Sequence, residues 1–133
     1  MKLMALGFRS QLSPLLTYQY IIYMKDITDL TDAEILAALL QSYGGDFYRW
    51  DKDGIPVLIN VLKDGRLRGR LRLIEMIIKH GADVNENGYA MYPPILFELY
   101  SGQPNPEIIK LLTKYGADIY RPFVPYKGDR MFP

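Results

Sequence analysis

Large aromatic side chains, with arginine beside them, are concentrated in three short stretches of the sequence. The stretches contain Tyr48, Arg49 and Trp50; Tyr89, Met91 and Tyr92; and Tyr120, Arg121, Phe123 and Tyr126. Tyrosine, tryptophan and arginine carry much of the binding energy at protein interfaces. The chemistry that these stretches offer is therefore noncovalent contact with another macromolecule.

We expect six of these residues to contact a partner: Tyr48, Trp50, Tyr89, Tyr92, Tyr120 and Arg121. A second interpretation is open for each ring, which is that it packs between neighbouring stretches and only stabilises them. An exposed apolar patch shared by several stretches would favour binding, since monomers rarely expose large patches of this kind without a use.

Residues suited to catalysis are scarce. His80 is the only histidine, and it stands one residue before a glycine, as Tyr43 and Tyr115 do elsewhere in the chain. We find no glycine-rich phosphate motif and no group of His, Asp or Glu at metal-ligand spacing. We therefore expect no enzymatic activity, no cofactor and no metal site.

A run of alternating cations separates two apolar segments. Its members are Arg66, Arg68, Arg70 and Arg72. Such a run could meet phosphates or an acidic protein surface, or it could be a solvated edge with Leu67 and Leu71 turned inward. The near balance of 16 basic and 15 acidic residues gives no global attraction to nucleic acid or to an anionic membrane. Contact with nucleic acid through residues 66–72 is thus the alternative function.

The elements that must position these residues repeat along the chain. Residues 73–85 recur as residues 108–120, and the glycines Gly81 and Gly116 are 35 positions apart (116 minus 81). A weaker copy leads into Gly44, which is 37 positions before Gly81 (81 minus 44). A fixed period of this length is typical of repeat proteins.

Each copy has apolar residues eight, five and four positions before its glycine. They are Leu36, Leu39 and Leu40; Leu73, Met76 and Ile77; and Ile108, Leu111 and Leu112. This spacing predicts one apolar face of a helix, widened seven positions before the glycine by Ala37, Ile74 or Ile109. The glycine ends the helix, because it reaches a left-handed backbone conformation without steric cost.

Local signals predict where the helices begin. Thr31 and Glu34 form a capping box before a helix that reaches Tyr43. Proline marks the start of helices over residues 55–62 and 93–100, and Asn105 caps a last helix that opens at Pro106.

We divide the chain into an N-terminal segment (1–30) with a capping helix, a repeat domain (31–126) and a tail (127–133). Ser13 and Pro14 favour that capping helix. Alternatively, the physiological chain begins at Met24, where Lys25 and Asp26 lead at once into the repeats.

Helix, turn, helix, then Gly-Ala-Asp-Val-Asn and an outward loop resemble an ankyrin repeat, over roughly residues 13–120. Where that family has Thr-Pro-Leu-His, this chain has Ser13-Pro14-Leu15-Leu16, Ile55-Pro56-Val57-Leu58 and Pro93-Pro94-Ile95-Leu96. The resemblance implies an all-α solenoid of about three stacked helix-turn-helix repeats with projecting hairpin-like loops. Since the family's Thr and His join a hydrogen-bond network between repeats, its absence implies that apolar packing holds these units together. Asn60 and Glu98 stand at matching repeat positions, where a hydrogen bond between them would join neighbouring first helices.

The resemblance implies a protein-binding function, and the composition indicates in which compartment the chain works. The 133 residues suit one domain and contain no cysteine. No apolar run approaches the roughly 18 residues of a membrane span. We expect a monomeric, soluble, non-catalytic module that occludes or scaffolds a partner protein in the cytoplasm or inside a host cell, as an inhibitor, immunity-type antagonist or adaptor.

Overall fold

The computed structural model describes Ile21 and residues 26–120, and over these residues the chain consists of helices joined by turns and bends. The described helices are α1 (Asp32–Ser42), α2 (Val57–Lys63), α3 (Leu71–Lys79), α4 (Pro94–Leu99) and α5 (Pro106–Lys114), with no β-strand among the same residues. The predicted all-α class is confirmed. None of these helices has the length and apolar character that a membrane crossing requires. The capping helix expected after Ser13 lies outside the described residues, apart from Ile21.

The helices form two rows. In one row α1 packs beside α3 and α3 beside α5, and in the other α2 packs beside α4. The rows are joined because α2 also packs on α3, and α4 on α5. Leu73 and Ile108, from neighbouring helices of the first row, are fully buried in one core. The two helices that contain them lie side by side.

The helix caps follow the sequence signals. The Thr31 hydroxyl accepts the Glu34 backbone N–H at 3.1 Å, and the Glu34 carboxylate accepts the Thr31 N–H at 2.8 Å. Asn105 caps α5 by accepting the Glu107 N–H at 2.9 Å. Pro56 differs from its prediction, since it is the residue before α2 and not part of its first turn.

The three helices of the first row end in the same way. Tyr43, His80 and Tyr115 are their C-caps, and the glycine that follows each has a positive φ, of 79°, 104° and 97° in turn. The next N–H then donates back to the carbonyl five residues earlier, from Gly45 to Leu40, Ala82 to Ile77 and Ala117 to Leu112. Because this reversal is identical in all three copies, each directs the following chain along the same course.

The predicted apolar face of α1 is turned inward, since Leu36 and Leu39 are buried, but the face is widened on its other side. Ala37 is exposed, whereas Ile35 and Ala38 are fully buried. Arg70 anchors the start of this helix by donating to the Asp32 carboxylate at 2.9 Å. The first copy keeps the main positions of the period and differs only at the widening position Ala37.

Candidate functional site

The segments that carry the predicted contact residues follow α1, α3 and α5. We call them finger 1 (residues 44–54), finger 2 (residues 81–92) and finger 3 (residues 116–120). An aspartate two residues after the first glycine accepts the N–H two residues further on in each finger. The pairs are Asp46 and Tyr48 at 3.0 Å, Asp83 and Asn85 at 2.8 Å, and Asp118 and Tyr120 at 2.8 Å. This repeated aspartate turn sets the course of all three fingers.

Fingers 1 and 2 contact each other through rings and backbone. The ring centroids of Trp50 and Tyr89 are 5.4 Å apart, in an edge-to-face arrangement at 64°. The Tyr89 N–H donates to the Gly54 carbonyl at 2.9 Å. A Cβ on Gly54 would lie 2.4 Å from the Tyr89 ring, and Gly54 has a φ of 77°. Only glycine allows this close approach, so finger 1 is shaped to receive Tyr89.

The ring of Tyr48 lies against the first residue of finger 2. A Cβ on Gly81 would come within 3.0 Å of Tyr48 Cζ. The remaining surface of Tyr48 faces solvent, since 78% of the residue is exposed. Gly81 therefore both reverses the chain after α3 and makes room for a ring from the preceding finger.

Fingers 2 and 3 are joined through one side chain. Asn85 donates its amide N–H to the Gly116 carbonyl at 3.1 Å and accepts the Asp118 N–H on its carbonyl oxygen, also at 3.1 Å. An amide can do both at once because it carries a donor and an acceptor. The three fingers thus form one continuous edge of the molecule.

The structure places five of the six predicted contact residues. Tyr48 and Tyr120 are largely exposed. Trp50 (37% exposed) and Tyr89 (47% exposed) each contact the other ring on one side and solvent on another. Tyr92 is half-buried and its ring centroid lies 4.8 Å from that of Tyr100, at the end of α4. Arg121 lies outside the described residues.

Tyr48, Trp50 and Tyr89 are thus brought together, while Tyr92 and Tyr120 lie elsewhere. Trp50 and Tyr89 pack between fingers and still expose apolar surface, so their contact with a partner stays a prediction.

The buried hydroxyl of Tyr43 holds the end of finger 1 through hydrogen bonds. The Tyr43 hydroxyl donates to the Ile55 carbonyl at 3.3 Å and accepts a hydrogen bond from the Asn60 amide. Asn60 also donates to Asp51 at 2.8 Å. Burial raises the pKa of the Tyr43 hydroxyl well above its ordinary value. This network fixes the return of finger 1 to α2.

Three arginines of the run have partners within the structure, whereas Arg72 is exposed and Leu67 is buried. Arg66 donates to Asp64 at 2.7 Å and to the Ile21 carbonyl at 2.7 Å. Arg70 donates to the carbonyls of Leu30 and Ile27, at 3.0 and 2.9 Å, in addition to its bond to Asp32. Both arginines therefore bind the linker, residues 64–70 between α2 and α3, to the segment before α1 and to the start of α1.

Arg68 has a third role. It forms an ion pair with Glu98, which is fully buried in α4. Glu98 also accepts the Asn105 N–H at 2.7 Å. Asn60 and Glu98 are therefore not bonded to one another. Asn60 binds Asp51 in finger 1, and Glu98 binds the backbone at Asn105, before α5. The helices share one apolar core, as expected, and these polar contacts between elements add to it.

A broad groove of about 220 Å³ lies between α3 and α5, a surface that we call the helical side. Its floor contains Leu71 and Leu111, and its rim carries Arg72, Glu75, Glu107, Lys110 and Lys114. Glu75 accepts from the Tyr115 hydroxyl at 2.6 Å and from Lys114 at 3.0 Å. These two hydrogen bonds, that of Tyr115 first, lower the pKa of the Glu75 carboxyl. The rim charges thus partly satisfy one another.

Sequence reasoning missed two exposed apolar residues, Tyr100 and Ile119, and named Met91 without counting it among the six contacts. It also missed the carboxylates of the fingers as possible contacts. Their signal was present, since an aspartate recurs two residues after the glycine of each copy, at Asp46, Asp83 and Asp118.

Comparison with known proteins adds no assignment: no protein-family model, no curated protein and no solved structure matches the chain.

Proposed function

We propose that this chain is a small ankyrin-like solenoid that binds another protein and is not itself an enzyme. Support for the ankyrin-like part comes from the repeated geometry: helices of one row stack in sequence, each ends in the same glycine reversal, and each is followed by a finger. Such units stabilise one another only through their neighbours. They leave an extended edge available for contact.

The observation that carries the binding function is the placement of exposed apolar residues. Of the seven large hydrophobic residues exposed in the described part, all but Tyr100 lie in the fingers: Tyr48, Trp50, Tyr89, Met91, Ile119 and Tyr120. An edge of aromatic residues held by a fixed backbone suits protein recognition, because ordering it on binding costs little entropy. Tyrosine and tryptophan are also the residues most enriched at interface hot spots.

The simplest mode of action is occlusion or scaffolding. A monomeric chain that covers a partner's surface would act as an inhibitor, an immunity-type antagonist or an adaptor. The absence of cysteine fits a reducing compartment such as the cytoplasm.

Nucleic-acid contact through the arginine run is the weaker candidate. Arg66, Arg68 and Arg70 would have to leave their carboxylate and carbonyl partners to meet phosphates. A salt-dependent gel shift with DNA or RNA that Arg66→Ala plus Arg68→Ala removes would favour it nonetheless, provided that the double variant stays folded.

Affinity purification from the native cell tests the proposal. Wild-type chain and a Trp50→Ala plus Tyr89→Ala variant are used as baits, and captured proteins are identified by mass spectrometry. We expect the variant to lose the specific partner while its thermal midpoint falls by only a few degrees, since neither ring belongs to the buried core.

A matched control is Lys79→Ala plus Lys110→Ala, which changes exposed positions on α3 and α5. It should retain the partner. Loss of the partner by the lysine variant and not by the aromatic variant would place binding on the helical side and contradict the proposal.

A further inference from the structure

A cavity of about 70 Å³ opens between fingers 1 and 2. Phe47 is buried at its base, and the rings of Tyr48 and Trp50 stand at its exposed side. Asp83 and Glu86 of finger 2 line the same cavity, together with Gly81. Its volume is that of about two water molecules, each of which takes roughly 30 Å³. The cavity therefore fits the end of one side chain.

The charges around this cavity have one sign. Its described lining residues include two carboxylates and no lysine or arginine. Asp83 uses Oδ1 to accept the Asn85 N–H, and Glu86 uses Oε1 to accept the Gly88 N–H at 2.8 Å. Each carboxylate keeps a second oxygen for an incoming donor.

The same sign extends over the finger edge. The three fingers contain six carboxylates (Asp46, Asp51, Asp53, Asp83, Glu86 and Asp118) and two basic residues (Arg49 and Lys52). The edge thus has a net negative charge, although the whole chain has a net charge of +1. Arg49 lies away from the cavity, since its side chain passes Gly44 and pairs with Asp46 at 3.6 Å.

We propose that this cavity receives a lysine or arginine side chain of the partner protein. The inference rests on the proposed protein-binding function and adds the chemistry of the contact. An aromatic ring attracts a cation to its face, and the aliphatic stem of a long basic side chain packs on apolar walls while its charged end stays at the rim. An apolar side chain would instead remove water from Asp83 and Glu86 without offering them donors.

Short blocked peptides test the proposal without knowledge of the partner. The probes are Gly-Arg-Gly and Gly-Lys-Gly, with Gly-Leu-Gly and Gly-Glu-Gly as controls, each acetylated and amidated. Binding to the full chain is followed by NMR at the indole N–H of Trp50, which is the only tryptophan, and at the amides of residues 82–86. We expect saturable shifts with the basic peptides alone, weakened by added salt.

The decisive variant is Asp83→Asn plus Glu86→Gln, because each amide keeps an oxygen that can accept the same backbone N–H. We expect it to weaken binding of the basic peptides by about tenfold, as the loss of two partly exposed ion pairs implies. Asp118→Asn is the matched control, since it changes the same turn position in finger 3, and it should bind as wild type does.

The inference is overturned if no saturable shift occurs at the cavity, if the leucine peptide binds as well as the basic ones, or if Asp83→Asn plus Glu86→Gln changes nothing. The proposed function has a separate readout. If the partner is lost by Trp50→Ala plus Tyr89→Ala but fully retained by Asp83→Asn plus Glu86→Gln, the proposed protein binding stands. The inference that a basic side chain occupies the cavity then fails.

Discussion

Replacing Arg68 by alanine should be one of the most damaging single changes in the linker. Arg68 donates to Glu98 from Nε at 3.2 Å and from a terminal nitrogen, and that same terminal nitrogen donates to the Gln103 carbonyl at 2.6 Å. Glu98 has no exposed surface. The change therefore leaves a buried carboxylate without its cation.

The magnitude follows from what remains around Glu98. Removing one partner of a buried ion pair costs about 3–5 kcal/mol. The Asn105 N–H still donates to the carboxylate at 2.7 Å, and water can enter where Arg68 was, since that side chain is 28% exposed. We expect the lower end, about 3 kcal/mol. A domain of this size has only about 5–15 kcal/mol of unfolding free energy in total.

Urea unfolding followed by Trp50 fluorescence and circular dichroism measures this effect. Arg72→Ala is the matched control, since Arg72 is exposed in the first turn of α3, and it should change the unfolding free energy by less than about 0.5 kcal/mol. Arg68→Met combined with Glu98→Met should recover most of the loss, because no buried charge remains. Equal stabilities of Arg68→Ala and Arg72→Ala, or no recovery in the double variant, would refute the reasoning.

Three further predictions concern stability. The pKa of Glu75 is lowered in the folded chain, so its ionised carboxylate adds to the free energy of unfolding above the ordinary carboxyl pKa, and this stabilisation is lost as the pH falls. Glu75→Gln should therefore make the thermal midpoint fall less steeply with decreasing pH on the acid side. Gly81→Ala should cost about 1–3 kcal/mol of unfolding free energy, since alanine at a φ of 104° is strained and its Cβ meets the Tyr48 ring; an unchanged midpoint would count against the Tyr48 contact. Ile21→Ala should cost about 2–5 kcal/mol, because Ile21 is fully buried in the core, and a loss below about 1 kcal/mol in urea unfolding would contradict its placement there.

Local signals in the sequence predicted the helices well. The capping box at Thr31, the Asn105 cap and the glycine reversals at Gly81 and Gly116 depend on residues within a few positions of one another. For that reason they can be read from a single segment. The side-by-side packing of α3 and α5 followed from the repeated apolar face, because such a face must be buried against a neighbour.

Contacts between distant segments could not be predicted in the same way. Arg68 and Glu98 are 30 positions apart, and no local pattern pairs a linker arginine with a helical glutamate. A partial signal existed, since Glu98 stands in the apolar run of α4 and a buried carboxylate needs a cation. The Trp50 and Tyr89 contact was likewise one of two open interpretations, because only the spatial order of the fingers decides which rings meet.

Hydrogen exchange of the chain in complex with its captured partner is the most direct test of binding through the fingers. The account predicts that protection on binding appears in residues 44–54 and 81–92, with no added protection in the outward faces of α3 and α5. Protection centred on the groove between α3 and α5, with the fingers exchanging as they do in the free chain, would contradict it.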